Sequence, residues 1–345
     1  MRYLTKSRFK QALECPTKLF YTKKVLYPSS NKGDAFLQSL AEGGFQVEEL
    51  ARMQFPEGKA ILGDDWNYSE LAERTKVLLQ EKNVIIFEAA FLYKNLFIRV
   101  DILKKVGNKI QLIEVKAKSV NKDTHLGFFN KNGTVNSGWM LYLYDVAFQQ
   151  YVIEKSMPSF SVTPYLMLAN KDKKATVDGL NQKFKISKTS NLRTGIIKEE
   201  NLSLGDLGES LIAKLNIEEE INLIKTSNPK DDIRSFEQTI EHFDSHYLND
   251  VKINTLIGKH CKDCEFQCEE TQDTKSGYLE CWTSQLNISN TQALKPKVYN
   301  VSNLRSATKI MDEGTYFMED LNESNIDVKV EAGRFSSTER QWIQI

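Results

Sequence analysis

The sequence predicts an α/β chain, and two observations carry that reading. Three β-rich runs follow one another at 84–93, 96–105 and 109–118, with helical periodicity on both sides and one more strand after the second helix. Four of the five cysteines then fall between 261 and 281, which sets off a helical, cysteine-bearing C-terminal region. Composition excludes several classes. The 345 residues are 41% hydrophobic and 27% charged, which is ordinary folded protein and about two domains in length. Lys+Arg and Asp+Glu both number 46, so a uniformly basic nucleic-acid coat is excluded while a local basic face is not. No run approaches a membrane span, the first six residues lack a signal-peptide core, and a cytoplasmic protein is expected. An odd, clustered set of cysteines reads as metal ligands in a reducing compartment rather than as disulfides.

Taken in order, Thr5 or Ser7 caps a short helix through Glu14, and Pro16 suits the first turn of the next one. A loop at 28–33 breaks the pattern. From Asp34 to Met53 the apolar positions Phe36, Leu37, Leu40, Val47, Leu50 and Ala51 keep a helical period, and Ser69 starts another helix. Lys94-Asn95 and Gly107-Asn108 are hairpin turns between the three β-rich runs. Trp139 to Lys155 returns to helix, and Phe160 to Leu168 is a strand. Residues 170–201 are polar and Lys-rich and predict loops or a peripheral hairpin. Residues 202–256 predict two or three helices.

The chemistry gathers on one hairpin. Asp101 ends the run Phe97-Ile98-Arg99-Val100, and Glu114 lies in Ile113-Glu114-Val115-Lys116. If the runs pair about Gly107-Asn108, Asp101 and Glu114 come out opposite or diagonal. Period-two alternation then points Glu114 and Lys116 to one side. Carboxylate oxygens suit hard cations such as Mg²⁺ or Mn²⁺, and a nearby ammonium can orient water or stabilise phosphate charge. A cross-strand salt bridge is the plain alternative. Glu88, one strand earlier, reads as a ligand or a hairpin partner, with the structural role favoured.

The order helix, three strands, helix, strand, with Asp101 on the second strand and Glu114-x-Lys116 on the third, resembles the PD-(D/E)XK nuclease superfamily. That resemblance implies a mixed central sheet flanked by helices and a metal-dependent deoxyribonuclease. Gly44-Phe45-Gln46-Val47-Glu48 is similar to the RecB-like Gly-x-x-x-His segment, with Glu48 at the His position. The implied metal ligands are Glu48, Asp101 and Glu114, with Glu49 competing for the first place. Gln149, in a segment similar to the superfamily's Gln and Tyr motif, joins Asp101, Glu114 and Lys116 as an implied catalytic residue, and Asp145 is a further candidate.

Cys261-Lys262-Asp263-Cys264 is a C-x-x-C pair, with Cys268 and Cys281 beyond it. Spacing alone favours a local zinc knuckle of Cys261, Cys264, Cys268 and Cys281, with His260 spare. The opening Leu4-Thr5-Lys6-Ser7-Arg8-Phe9 and Glu14-Cys15-Pro16-Thr17-Lys18-Leu19-Phe20-Tyr21 resembles RecB-like iron–sulfur nucleases of the CRISPR-associated exonuclease and AddB type. It implies a [4Fe-4S] cluster on Cys15, Cys261, Cys264 and Cys281, with Cys268 able to replace Cys281. Four thiolates suit zinc equally well.

The expected organisation is an N-terminal segment (1–33), a nuclease core (34–170), a polar and helical region (171–255), the cysteine cluster (256–285) and the opening of a further domain (286–345). The resemblance implies single-stranded DNA or frayed ends as substrate. Lys116, Lys118, Lys122 and Lys131 are candidate phosphate contacts, and Phe128, Phe129 and Trp139 candidate stacking partners. A non-catalytic DNA-binding or adaptor module and a zinc-stapled structural protein are the competing readings. The absence of Walker A, H-E-x-x-H and G-x-G-x-x-G patterns leaves motor, zinc-protease and dinucleotide chemistries without support.

Overall fold

A computed structural model describes residues 2–61, 67–121, 127–187, 195–199, 202–207, 210–231 and 233–345. The chain divides into two compact units, Met1–Leu13 with Ala35–Val251, and Glu14–Asp34 with Lys252–Ile345. Lys252–Ile345 thus fall in one unit with Glu14–Asp34.

The first unit is α/β with a mixed sheet. Its strands are β1 (Leu4–Thr5), β2 (Lys59–Ala60), β3 (Asn83–Tyr93), β4 (Leu96–Val106), β5 (Lys109–Val120), β6 (Ser161–Asn170) and β9 (Ile212–Asn216), with a β7–β8 hairpin (Phe184–Ser187, Gly195–Lys198) apart from the sheet. The order is β2-β3-β4-β5-β6-β9, and β1 also pairs with β4. β3, β4 and β5 form an antiparallel meander, while β5 and β6 run parallel across α5 (Ser137–Ser156). Gly107 takes φ 59° in the tight turn from β4 to β5, a conformation without Cβ penalty only for glycine. The helical expectation at 202–256 needs correcting, because β9 precedes α6 (Glu218–Ser227) and α7 (Phe236–Leu248). Ile212-Ala-Lys-Leu-Asn carries too few residues to show a period, yet it completes the sheet against β6.

Helices cover the sheet. α3 (Ala35–Arg52) lays Ala51 on Phe87, Ile102, Ile113 and Val115. α5 is apolar on nearly every side and buried through most of its length, as a core helix should be. Phe148 of α5 stacks on Phe9 of α1 (Lys6–Glu14), with ring centroids 4.5 Å apart. Each large side chain fully buried this way contributes roughly 1.5–3 kcal/mol. α4 (Tyr68–Leu78) is capped by Asn67, whose side chain accepts from Glu70 N, so the helix begins before Ser69.

The second unit holds α2 (Lys18–Tyr21), α8 (Gly277–Leu286), α9 (Asn290–Ala293), α10 (Ala307–Asp312), α11 (Glu323–Ile326) and α12 (Ser337–Trp342). Its core is built on Trp282, Val298, Tyr299, Ile310 and Met311, with Cys261, Cys264 and Cys281 packed against it. A Cβ at Gly277 would meet the Tyr21 ring at 2.8 Å, so the start of α8 needs glycine to come this close. Among the described residues, no helix is long and apolar enough to cross a membrane.

Candidate active site and cysteine cavity

The β4–β5 ladder runs from Val106↔Lys109 to Ile102↔Ile113 and stops there. One step further, Asp101 and Glu114 face each other in register, and Asp101 Oδ2 accepts the Val115 N–H at 2.8 Å where a strand partner would have done so. On the other flank of β4, Glu88 stands opposite Asp101, between the pairs Phe87↔Ile102 and Ala89↔Val100. Three acidic residues therefore lie at one level across β3, β4 and β5. Beyond this level β1 pairs with β4, Leu4 against Leu96 and Thr5 against Phe97. The residue that follows β1, Lys6, thus enters the site.

Glu114 is fully buried and bonded to its limit. Lys6 Nζ lies 3.0 Å from Oε1 and 3.2 Å from Oε2, Lys116 donates to Oε1, and Gln149 Nε2 donates to Oε2 at 2.8 Å. A carboxylate has about four lone-pair sites, so these donors use the full capacity of Glu114. Gln149 also donates to Asp145 at 3.0 Å, one turn earlier on α5. Asp145 in turn faces Lys116 at 3.3 Å and Lys10 at 3.1 Å. Lys6 reaches Asp101 at 3.3 Å. Burial works against the Lys6 ammonium, but Asp101, Glu114 and Asp145 outweigh it and hold its pKa well above the ordinary lysine value. Lys116 is held up in the same way, against burial, chiefly by Glu114 and then Asp145.

A second cluster adjoins through Asp101. Carboxylate oxygens of Glu48, Glu88 and Asp101 all lie within 4.8 Å of one another, the only such trio among the described residues. Glu114 is not part of it. Glu88 has φ 57°, a left-handed backbone that costs a non-glycine residue roughly 1–2 kcal/mol and interrupts strand alternation. Its carboxylate meets Arg52 of α3 at 3.0 Å and Arg99 at 2.9 Å, and Arg52 also bonds Glu48. Burial, then the charges of Asp101 and Glu88, push Glu48 up to about 8 despite Arg52.

That shift sets a sign. Without a bound cation the folded chain holds the Glu48 proton more tightly than the unfolded chain does. The Glu48 contribution to stability is therefore full below the ordinary glutamate pKa of 4.5 and is lost as pH rises through about 8. Thermal melts in EDTA are expected to show this decline for the wild type and a flatter profile for Glu48→Gln. Equal profiles would mean that Glu48 is not perturbed.

In the second unit, Cys15, Cys261, Cys264 and Cys281 line one cavity with His260, Thr255, Tyr278 and Trp282. Cys268 is not among them; its sulfur faces Lys275 O at 3.4 Å. No three of the four cavity sulfurs lie within 4.8 Å of one another. A zinc tetrahedron with Zn–S near 2.3 Å would bring them to roughly 3.8 Å. Burial pushes Cys264 up to about 12 and raises Cys281. Burial also works to raise Cys15, but His260 and Thr17 overcome it and hold that thiol below its usual value. His260 is pushed up to about 10, first by Cys15 and then by Cys261. Trp282 Nε1 and Thr255 Oγ1 are buried without a hydrogen-bond partner. A cavity lined by four cysteine sulfurs, with two orphaned polar atoms on its lining residues, fits a sulfur-rich cluster.

The structure thus brings Asp101, Glu114, Lys116, Gln149 and Asp145 together and adds Glu48 through Asp101. Sequence reasoning missed Lys6, Lys10 and Arg52 and undervalued Glu88. Two stacking candidates need correcting: Phe128 and Trp139 are buried, in edge contact with each other, and are unavailable to bases. Lys118 lies 3.9 Å over the Trp139 ring and donates to Gly138 O. Lys131 is exposed, and Lys122 lies outside the described residues. No protein family, curated protein or solved structure matches the chain.

Proposed function

We propose that the chain is a metal-dependent DNA nuclease, acting as an exonuclease on single-stranded DNA or frayed ends. The observation that carries this reading is the acidic level across β3, β4 and β5, with Glu48 on one side and Lys116 on the other. Glu48, Glu88 and Asp101 would hold Mg²⁺ or Mn²⁺, a donor set of hard carboxylate oxygens. A cation bound there would supply Lewis-acid chemistry, lowering the pKa of a bound water and offsetting charge on the phosphate. Lys116 keeps its proton and acts as a fixed point charge toward the phosphate or the water. Gln149 holds Glu114 and Asp145 in place, and these two hold Lys116.

Cys15, Cys261, Cys264 and Cys281 would hold a [4Fe-4S] cluster in a structural role. The wide sulfur spacing and the place of Cys268 outside the cavity favour this set over a zinc knuckle. The function is tested with end-labelled single-stranded DNA. Wild-type protein with Mn²⁺ is expected to degrade it, and EDTA to stop the reaction. No cleavage of single-stranded, frayed or duplex DNA with either cation would overturn the assignment and leave the non-catalytic binding module.

A further inference from the structure

We infer that the Lys6 ammonium stands in for a second metal ion, so that the site takes one divalent cation and not two. The inference rests on the nuclease reading above for its cation, but its argument is local geometry. Asp101 and Glu114, facing each other across the open end of the β4–β5 ladder, are the pair between which a bridging cation would sit. Lys6 Nζ already bridges them, 3.3 Å from Asp101 Oδ1 and 3.0 and 3.2 Å from the two oxygens of Glu114.

Backbone pairing delivers Lys6 to this place. β1 pairs with β4 at Leu96 and Phe97, and Leu4 N donates to Asn95 O at 2.8 Å, so the next residue begins α1 beside Asp101. Leu4 is fully buried and anchors that pairing. The ammonium is therefore set by a strand and a helix rather than carried on a loose tail.

Charge and lone pairs agree. The fully buried carboxylates Glu114 and Asp145, with the mostly buried Asp101, face Lys6, Lys10 and Lys116, three charges against three. Lys6 and Lys116 with Gln149 occupy the lone-pair directions of Glu114, so a metal ion could bind Glu114 only by displacing one of these donors. On the far side of Asp101, oxygens of Glu48, Glu88 and Asp101 come within 4.8 Å of one another, and the guanidiniums of Arg52 and Arg99 meet Glu48 and Glu88. The single cation belongs there.

The test counts ions rather than turnover. Purified chain carrying its cysteine-bound metal is titrated with Mn²⁺, and free Mn²⁺ is read by electron paramagnetic resonance. One Mn²⁺ per chain is expected for wild type and for Lys6→Arg, and two for Lys6→Gln and Lys6→Met. Circular dichroism and melting of each variant confirm that the counted protein is folded, and wild type alone can sink the idea. Two ions on wild type, none on wild type, or one on both neutral variants would overturn it. DNA cleavage measured on the same samples separates the two readings, because the expected ion counts without cleavage uphold Lys6 and sink the nuclease.

Discussion

Asp101→Asn is expected to lower Mn²⁺-dependent cleavage by about 10³-fold, a loss comparable to removing one main source of transition-state charge stabilisation. Asp101 is the one side chain common to both clusters. It meets Lys6 on one side, contributes an oxygen to the trio with Glu48 and Glu88 on the other, and accepts the Val115 N–H. The amide keeps the shape and one acceptor oxygen, so the fold should survive while the cation loses a charged ligand. Glu114→Gln should match it by a different route. Lys6 and Lys116 would lose their shared acceptor, and the amide would set an NH₂ against at least one existing donor. Circular dichroism and melting on the same samples check folding. Cleavage by Asp101→Asn at the wild-type rate would place the chemistry elsewhere.

Cys15→Ser is expected to strip the bound metal and to lower stability by as much as about 4–5 kcal/mol, the guide value for closing a very long loop. The reasoning is topological. Between Cys15 and Cys261 lie 245 residues, and the second unit is assembled from two distant segments, Glu14–Asp34 and Lys252–Ile345. A cluster bridging Cys15 to Cys261, Cys264 and Cys281 ties those segments together, and its binding energy adds to folding because the unfolded chain has no such site. Cys268→Ser is the control. Its sulfur lies away from the cavity, so iron content and melting temperature should stay at the wild-type level. Iron and zinc counts with thermal unfolding decide the matter. Unchanged metal in Cys15→Ser, or loss in Cys268→Ser, would favour the local knuckle.

The parts legible in the sequence were those with a period long enough to read. β3, β4, β5, α5 and β6 each run ten residues or more, and their order and turns follow from hydrophobic alternation and the breaks at Lys94-Asn95 and Gly107-Asn108. β1 and β2 have two residues each, too few for any period, and they exist because neighbouring strands offer open edges. The pairing of Asp101 with Glu114 was readable because a two-ended hairpin fixes register. Lys6 was not, since its place depends on a parallel contact between the fifth residue and Phe97 that no local pattern announces.

Glu88 shows another limit. Alternation assigns it to the face opposite Phe87, but its left-handed φ defeats that rule and its carboxylate meets Arg52 and Glu48 of α3. Four cysteines converging across the chain could be suggested by resemblance alone, and spacing grouped with three of them Cys268, which does not line their cavity.

The central claim is that the carboxylates of α3, β3 and β4 hold a working cation. The most direct measurement is a crystal of the purified protein soaked in Mn²⁺, with anomalous diffraction collected at the manganese edge. One manganese peak among Glu48, Glu88 and Asp101 is the result predicted. No peak there, with the three carboxylates still paired to Arg52 and Lys6, would contradict the account.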